Sequence, residues 1–169
     1  MASQFRRIVT GHDVEGKSIV VIDGPAAPFG AYWQTEGTPA DNSTTVDAAQ
    51  SVRKLEPSPS GSIFRYAVIP PEDPSISTKE REAATARAFA QMGAEHCRPD
   101  TSRDPGMHTT RTIDYVILLS GELTLLLDRG EVNLKPFDVV VQRGTNHAWV
   151  NKGKEPALLG AVLIDALKL

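Results

Sequence analysis

The sequence predicts an all-β fold of the barrel or sandwich type, and two features of residues 106–151 carry this prediction. Runs rich in Val, Ile and Leu are short in this stretch, and turn sequences interrupt them at regular intervals. Such regular punctuation is typical of antiparallel barrels and sandwiches. The turns lie at 120–122, 128–130, 135–138 and 142–146.

Two β segments are predicted near the start of the chain, at residues 5–9 and 17–23. The turn between them is rich in Gly and Asp, which favour tight reversals. The second segment is almost continuously apolar. His12 lies in the turn, and two positions remain open for it: close to a ligand pocket, if these strands fold over the barrel, or on the surface.

Residues 28–35 concentrate three aromatic side chains, Phe29, Tyr32 and Trp33. Two interpretations stay open for them, because they could form the wall of a ligand pocket or belong to an ordinary strand with a buried Trp. Residues 36–60 are polar and rich in Pro, Ser and Thr, which predicts a loop. The length of this loop favours a functional or partner-facing excursion rather than a part of the core.

A strand and the one predicted helix follow this loop. In residues 61–70, apolar side chains occur on both faces of a period-two pattern, so both faces are expected to be partly buried. The predicted helix spans residues 77–93. Ser77 and Glu80 fit a capping box at its start, and Gly93 is suited to end it. Its small side chains predict close packing on the outside of the barrel.

Residues 94–105 are predicted to form a loop that leads to His108. We interpret His96 and Cys97 as loop residues, because no second Cys or His follows them at a metal-binding spacing. The last predicted strand, residues 157–164, is nearly all apolar, as expected of a strand that is covered on both faces. The barrel interior would cover one face, and the helix or a dimer partner would cover the other.

Strand parity gives the positions of two histidines a meaning, because side chains two residues apart point to the same face. On one predicted strand, a single face carries His108, Thr110, Thr112 and Asp114. On a second predicted strand, a single face carries His147, Trp149 and Asn151. In a closed antiparallel barrel, these two strands can bring His108, Asp114 and His147 together.

The same stretch resembles the two motifs of the cupin superfamily. The residues that match the first His, the acid and the closing Gly of the first motif in spacing are His108, Asp114 and Gly121. Thr110 stands in place of the second His, and Asp stands in place of Glu. The residues that match the second motif are Gly144, His147 and Asn151, while Phe137 and Gln142 replace a Gly and a Pro.

The resemblance implies a jelly-roll barrel, the double-stranded β-helix of small single-domain cupins, with extra N-terminal strands and one outer helix. Residues 1–169 would then form one domain. Its parts would be the N-terminal strands and loop at 1–75, the helix at 77–93 and the conserved barrel at 106–165. Small cupins of this kind accompany biosynthetic or aromatic-degradation enzymes.

A metal site is predicted from His108, Asp114 and His147, which are also the predicted catalytic residues. Two imidazoles and a carboxylate suit a divalent metal such as Fe, Zn, Mn or Ni and leave coordination positions open. An ion in such a site can polarise a substrate oxygen. Two alternatives remain open. The shorter Asp114 could orient a His or a water instead of binding the metal. The pocket could also hold no metal, with the imidazoles as general acid and base.

Five further residues are predicted to contact the substrate: Thr110, Tyr32, Trp33, Arg143 and Trp149. Arg143 lies at the predicted barrel mouth, where it could bind an anionic substrate or simply belong to the turn before His147. The aromatic residues could equally pack in the core. Arg111 falls on the face opposite His108 and is expected to point outward.

The function predicted first is that of a metal-dependent enzyme acting on a small organic molecule in a biosynthetic or degradative pathway. Decarboxylation, dehydration, isomerisation and oxygenation are the reactions that the cupin resemblance implies. The alternative is a non-catalytic binding or accessory protein without a tightly bound metal, which the missing second His favours. A ligand-sensing regulator ranks last, because the sequence contains no evident DNA-binding pair of helices.

Composition narrows the expected partners and location. The net charge is −3 and no basic block occurs, so no nucleic-acid partner is expected. No run approaches the roughly 20 apolar residues of a membrane span, and no apolar signal-peptide region is present. Together with a single cysteine, this predicts a cytoplasmic protein without a membrane partner. Apolar runs at 19–22 and 158–164 predict a homodimer.

Overall fold

Residues 5–167 are described in a computed structural model of the chain, and they form ten β-strands and one α-helix. The helix α1 spans Thr78–Gln91. The strands are β1 (Arg6–His12), β2 (Ser18–Pro25), β3 (Ala31–Thr35), β4 (Ser62–Ile69), β5 (Thr112–Ser120), β6 (Leu123–Leu127), β7 (Glu131–Leu134), β8 (Val139–Arg143), β9 (His147–Val150) and β10 (Ala157–Asp165). The predicted all-β class with a single helix is therefore confirmed.

The strands form two main antiparallel sheets and a separate hairpin. The larger sheet has the order β3-β4-β10-β5-β8, and the smaller has the order β7-β6-β9. The last strand, β10, lies between β4 and β5, so the chain returns to the middle of a sheet that it began much earlier. This crossing connection and the two sheets are those of a jelly roll.

The main hydrophobic core lies between the two sheets. The buried cluster draws Val116, Leu118 and Leu159 from the larger sheet and Leu123 and Leu125 from the smaller one. On β5 the buried residues alternate with exposed ones, as period-two patterning requires. The interior side of β5 therefore continues directly from the polar positions at its start to the apolar core.

The hairpin between β5 and β6 explains the closing Gly of the first motif. Gly121 has a φ of +83°, and a Cβ built there would lie 2.8 Å from the Cα atom of Ala157. Only glycine fits this close approach of β10 without a shift of the backbone. The turn thus sets how β5 passes into the opposite sheet.

Helix α1 begins and ends as predicted from its capping residues. The Ser77 hydroxyl accepts a hydrogen bond from the Glu80 amide at 3.3 Å, and the Glu80 carboxylate accepts one from the Ser77 amide at 3.0 Å. Gly93 follows the helix with a φ of +59°. The buried Phe89 packs with Ala94 and Cys97, which holds the helix against the barrel.

The N-terminal strands β1 and β2 pair only with each other among the described strands. Several apolar side chains of this hairpin are 42–55% exposed: Ile8, Ile19, Val20 and Val21. Arg7 on β1 is buried, in contrast to these side chains, and its guanidinium forms an ion pair with Asp47. This pair fixes one end of the hairpin to the loop at 36–60.

The prediction that residues 36–60 stay outside the core is wrong for the short segment 48–52. Ala49 and Val52 are 0% and 2% exposed and pack with Ala31 and Ile63. The Asp47 side chain caps the short 3-10 turn that places them there. Two small apolar residues within a polar loop are therefore enough to bury this short segment.

No helix among residues 5–167 is long and apolar enough to cross a membrane.

Candidate functional site

A cavity of about 540 Å³ opens beside the core, between the larger sheet, β9 and helix α1. Its apolar wall comes from Phe89, Val116, Trp149, Leu159, Ala161 and Leu163. Its polar wall comes from Arg65, His108, Thr110, Asp114 and His147. An apolar cavity with a few convergent polar groups is the usual form of a small-molecule site.

His108 and His147 lie side by side in this cavity. Their backbones exchange two hydrogen bonds of 2.9 Å, His108 N to His147 O and the reverse. Their ring centroids are 4.2 Å apart. The segment before β5 therefore pairs with the start of β9, and this pairing joins two histidines that are 39 positions apart in the sequence.

Backbone carbonyl groups fix the same tautomer in both rings. His108 Nδ1 lies 2.9 Å from the Gly106 oxygen, and His147 Nδ1 lies 2.9 Å from the Thr145 oxygen. A carbonyl oxygen can only accept a hydrogen bond, so each Nδ1 carries the proton. In the neutral rings, Nε2 on the opposite edge is then an unprotonated acceptor and a potential metal ligand.

Both imidazoles are held in the neutral form. Burial, and next the neighbouring His108, lower the pKa of His147 to about 3. Burial also lowers the pKa of His108, with a smaller contribution from the charge of Arg98. Two lone pairs are therefore available at neutral pH.

Asp114 lies on the interior side of β5 and is 6% exposed. Burial raises the pKa of its carboxyl to about 6, against a hydrogen bond from Thr112 that lowers it. Oδ1 is buried and has no hydrogen-bond partner among the described residues. This carboxyl can exchange a proton near neutral pH.

The three predicted metal ligands do not all lie within reach of one ion. In residues 5–167, the one set of three His, Cys, Asp or Glu ligand atoms within 4.8 Å of one another belongs to Glu56, His96 and Cys97. The structure thus brings the rings of His108 and His147 together, and Asp114 lines the same cavity without completing such a set.

The Glu56, His96 and Cys97 cluster joins the loop at 36–60 to the segment before β5. Glu56 Oε2 lies 2.8 Å from His96 Nε2, and Oε1 accepts a 2.7 Å hydrogen bond from the Arg111 amide. Burial, and next the charge of Glu56, raise the pKa of the Cys97 thiol to about 12. Sequence reasoning missed Glu56 because it lies 40 residues before His96.

The remaining predicted substrate contacts divide into two groups. Thr110 and Trp149 line the cavity, and the Trp149 ring meets His147 edge-on at 5.4 Å. Tyr32 packs instead against Phe64 and Tyr66 at 4.8 and 5.6 Å. The residues that the structure does not bring to the cavity are Tyr32, Trp33 and Arg143.

Arg143 and His12 lie outside the cavity. Arg143 lines a separate groove together with His96 and Arg111, on the outward side of β5. His12 is exposed at the end of β1, which is the surface position of its two interpretations. Neither residue lines the cavity that contains the two imidazoles.

Arg65 is the site residue that sequence reasoning missed. It lies on β4 between Ala31 of β3 and Ala161 of β10, and it is 7% exposed. A signal was present in the sequence, because period-two patterning puts Arg65 on the same face as Ile63 and Ala67. A charged residue on an apolar strand face is uncommon without a partner or a ligand.

Comparison with known proteins identifies the family. The chain is 30% identical over 162 residues to the phomopsin biosynthesis cluster protein C′ of Diaporthe leptostromiformis, covering 86% of this chain and 70% of that protein. It is 27% identical over 168 residues to a cupin-domain-containing oxidoreductase of Aspergillus ruber, covering 96% of this chain and 73% of that protein. The chain belongs to the cupin superfamily.

The other two comparisons add only a little to this assignment. A cupin 2 conserved barrel domain protein from Salinispora arenicola is 20% identical with a TM-score of 0.40, over 62% of this cupin and 64% of that chain. No protein-family model matches the sequence. The chain is therefore a small cupin with two imidazoles in its cavity. It differs from the first cupin motif at Thr110 and Asp114.

Proposed function

We propose that this cupin is a metal-dependent enzyme that converts a small organic molecule in a biosynthetic pathway. The single observation that carries the proposal is the pair of neutral imidazoles, both in the tautomer that exposes Nε2, in one apolar cavity. Two relatives, named as a biosynthesis cluster protein and a cupin-domain-containing oxidoreductase, support a biosynthetic enzyme. A cytoplasmic location stays a prediction.

His108 and His147 are the residues that would hold a divalent metal such as Fe, Zn, Mn or Ni. Their tautomers fit this role, because a ligating imidazole usually donates its other N–H to a carbonyl or carboxylate. When bound, such a metal supplies a Lewis acid that polarises a substrate oxygen. The ligand atoms of His108, His147 and Asp114 do not all lie within 4.8 Å of one another, so Asp114 is not included among the proposed ligands.

Asp114 is proposed to move a proton in the cavity. Its pKa of about 6 places the carboxyl close to the pH at which a group can both donate and accept a proton. The unpartnered Oδ1 leaves one oxygen free for a substrate group. Asp114 would therefore act as general acid or base toward a substrate that lies between it and the imidazoles.

The apolar wall of the cavity is proposed to exclude water from the reacting group. Val116, Leu159 and Leu163 offer no hydrogen bonds, and Trp149 fixes the orientation of His147 through its edge-on contact. In a low-dielectric cavity, each polar contact with the substrate is stronger than it would be in water.

A non-catalytic binding or accessory role is the second candidate. The observation that favours it is the small number of protein ligands, because Thr110 replaces a His and the ligand atoms of His108, Asp114 and His147 do not all lie within 4.8 Å of one another. In this case the cavity would bind its ligand without a tightly held metal. The metal content of the purified protein separates the two candidates.

The test is the metal content of the protein purified without chelators. We expect about one divalent ion per chain, and less than about a tenth of that in His108→Ala and His147→Ala. Asp114→Asn should keep the metal. Cys97→Ser is the matched control, because it removes the thiol of the other cluster and should also leave the content unchanged.

Three outcomes would contradict parts of this proposal. Wild-type protein that binds no metal, even after incubation with Fe, Zn, Mn or Ni, would favour the binding role. Loss of metal in Cys97→Ser, with metal retained in both histidine variants, would move the site to the other cluster. Loss in Asp114→Asn would show that Asp114 is a ligand after all.

A further inference from the structure

Arg65 places a buried positive charge beside the cavity without a negative partner. Its only hydrogen bond within the described residues runs from Nη2 to the Lys54 oxygen at 3.4 Å, and its Nε has no partner. No carboxylate of the described residues forms an ion pair with it. An unpaired buried charge is strongly unfavourable, so such a group normally has a counter-ion.

Two other buried arginines of this cupin show the usual arrangement. The guanidinium of Arg7 is 6% exposed and pairs with Asp47. That of Arg98 is 9% exposed and lies 2.8 Å from Glu82. Arg65 is buried to the same degree and faces the cavity, yet no carboxylate of the described residues pairs with it, although Asp114 lines the same cavity. The contrast indicates that its partner is a molecule that enters the cavity.

We propose that Arg65 binds the carboxylate of the substrate, which is therefore an organic monocarboxylic acid with an apolar body that fits the 540 Å³ cavity. This inference rests on the proposed function, because it concerns the same cavity. The guanidinium is a planar fork that matches a carboxylate in a bidentate pair. The apolar body would lie against Leu159, Ala161 and Leu163.

The charges of the cavity favour a monoanion over a phosphate. Arg65 is the one Lys or Arg among the described residues that line the cavity. Among the protein side chains of the cavity, its single positive charge matches one carboxylate and falls one short of a phosphate dianion.

The test compares acids with their uncharged amides. Hexanoate, benzoate, phenylacetate and 4-phenylbutyrate would each be titrated by calorimetry against the matched primary amide. For at least one pair, we expect the acid to bind the wild type at least ten times more tightly than the amide. Inorganic phosphate should not compete with the bound acid.

Arginine variants then locate the preference. Arg65→Met should reduce the preference for the acid at least tenfold, and Arg65→Lys should keep part of it because the charge remains without the fork. Arg143→Met is the matched control, since Arg143 lines the separate groove, and it should bind both ligands as the wild type does. The Tm of Arg65→Met should equal or exceed that of the wild type, because an unpaired charge is removed.

The proposal is overturned by any of four results. These are equal binding of acid and amide, unchanged preference in Arg65→Met, loss of preference in Arg143→Met, and absence of saturable binding by all four acids. If Arg65→Met does not fold, Arg65→Lys and the wild-type preference decide. Metal content separates this failure from that of the proposed function, because the wild type and Arg65→Met should both keep the metal whether or not Arg65 binds the acid.

Discussion

At the residue scale, two carbonyl groups decide what the site can do. The Gly106 and Thr145 oxygens each hold an Nδ1–H, so His108 and His147 turn their basic nitrogens away from the backbone. Burial then removes any positive charge from the pair. A carbonyl group two residues earlier in the chain thus fixes the tautomer of each ring in the absence of substrate or metal.

Asp114 gives the first prediction at this scale, through the pH dependence of stability. Its pKa is raised from 3.8 to about 6 in the folded protein. The folded state therefore binds the proton more tightly, and its contribution to stability is full below pH 4 and is lost as the pH rises through 6. A shift of this size corresponds to about 3 kcal/mol at most.

Urea unfolding of the wild type and Asp114→Asn between pH 4 and 8 measures this effect. Asn cannot ionise, so the variant should gain stability relative to the wild type as the pH rises, by about 2–3 kcal/mol in total. The comparison cancels the opposite contribution of His147, whose lowered pKa makes stability fall below pH 6.5 in both proteins. Parallel stability curves would contradict the raised pKa.

At the element scale, two neighbouring arginines of β1 bind two acids in different surroundings. Arg6 pairs with Asp23 on the surface, where the two side chains are 65% and 49% exposed. Arg7 pairs with Asp47 in a buried setting, with side chains 6% and 23% exposed. Only the second pair connects the hairpin to the rest of the molecule, because Asp47 also caps the turn that buries Ala49.

The second prediction follows from this contrast. Asp47→Asn keeps an oxygen for the cap but leaves the buried Arg7 without a counter-charge, and should lower the free energy of unfolding by about 2–3 kcal/mol. Asp23→Asn is the matched control on the exposed pair and should leave the urea midpoint unchanged. Equal effects of the two variants would show that the hairpin does not depend on the buried pair.

At the scale of the whole molecule, periodic patterns predicted the sheets well because alternation is a local property. The parity of β5 and β9, with the cupin spacing, also predicted that His108 and His147 would be close. Arg65 was not predicted as a site residue, because its lack of a partner depends on how β3, β4 and β10 lie together. Arg143 looked equally suitable in the sequence, yet strand direction places it on the outward side of the sheet.

We also propose that a second copy of the chain covers the exposed apolar side chains of the β1–β2 hairpin. Light scattering should give twice the chain mass of 18.3 kDa. Val20→Arg should raise the dimer dissociation constant at least tenfold, because Val20 is half exposed on this hairpin. Val46→Arg, on the exposed part of the loop at 36–60, should not. A monomeric wild type would refute the dimer.

The most direct test of the central claim is a nitrogen NMR titration of protein labelled with 15N-histidine. We predict that, without metal at pH 7, His108 and His147 both carry the proton on Nδ1. The Nε2 signals of both rings should then shift together and saturate at one equivalent of Zn²⁺, while Nδ1 stays protonated. A shift confined to His96, or a proton on Nε2 of either ring before zinc is added, would contradict the account.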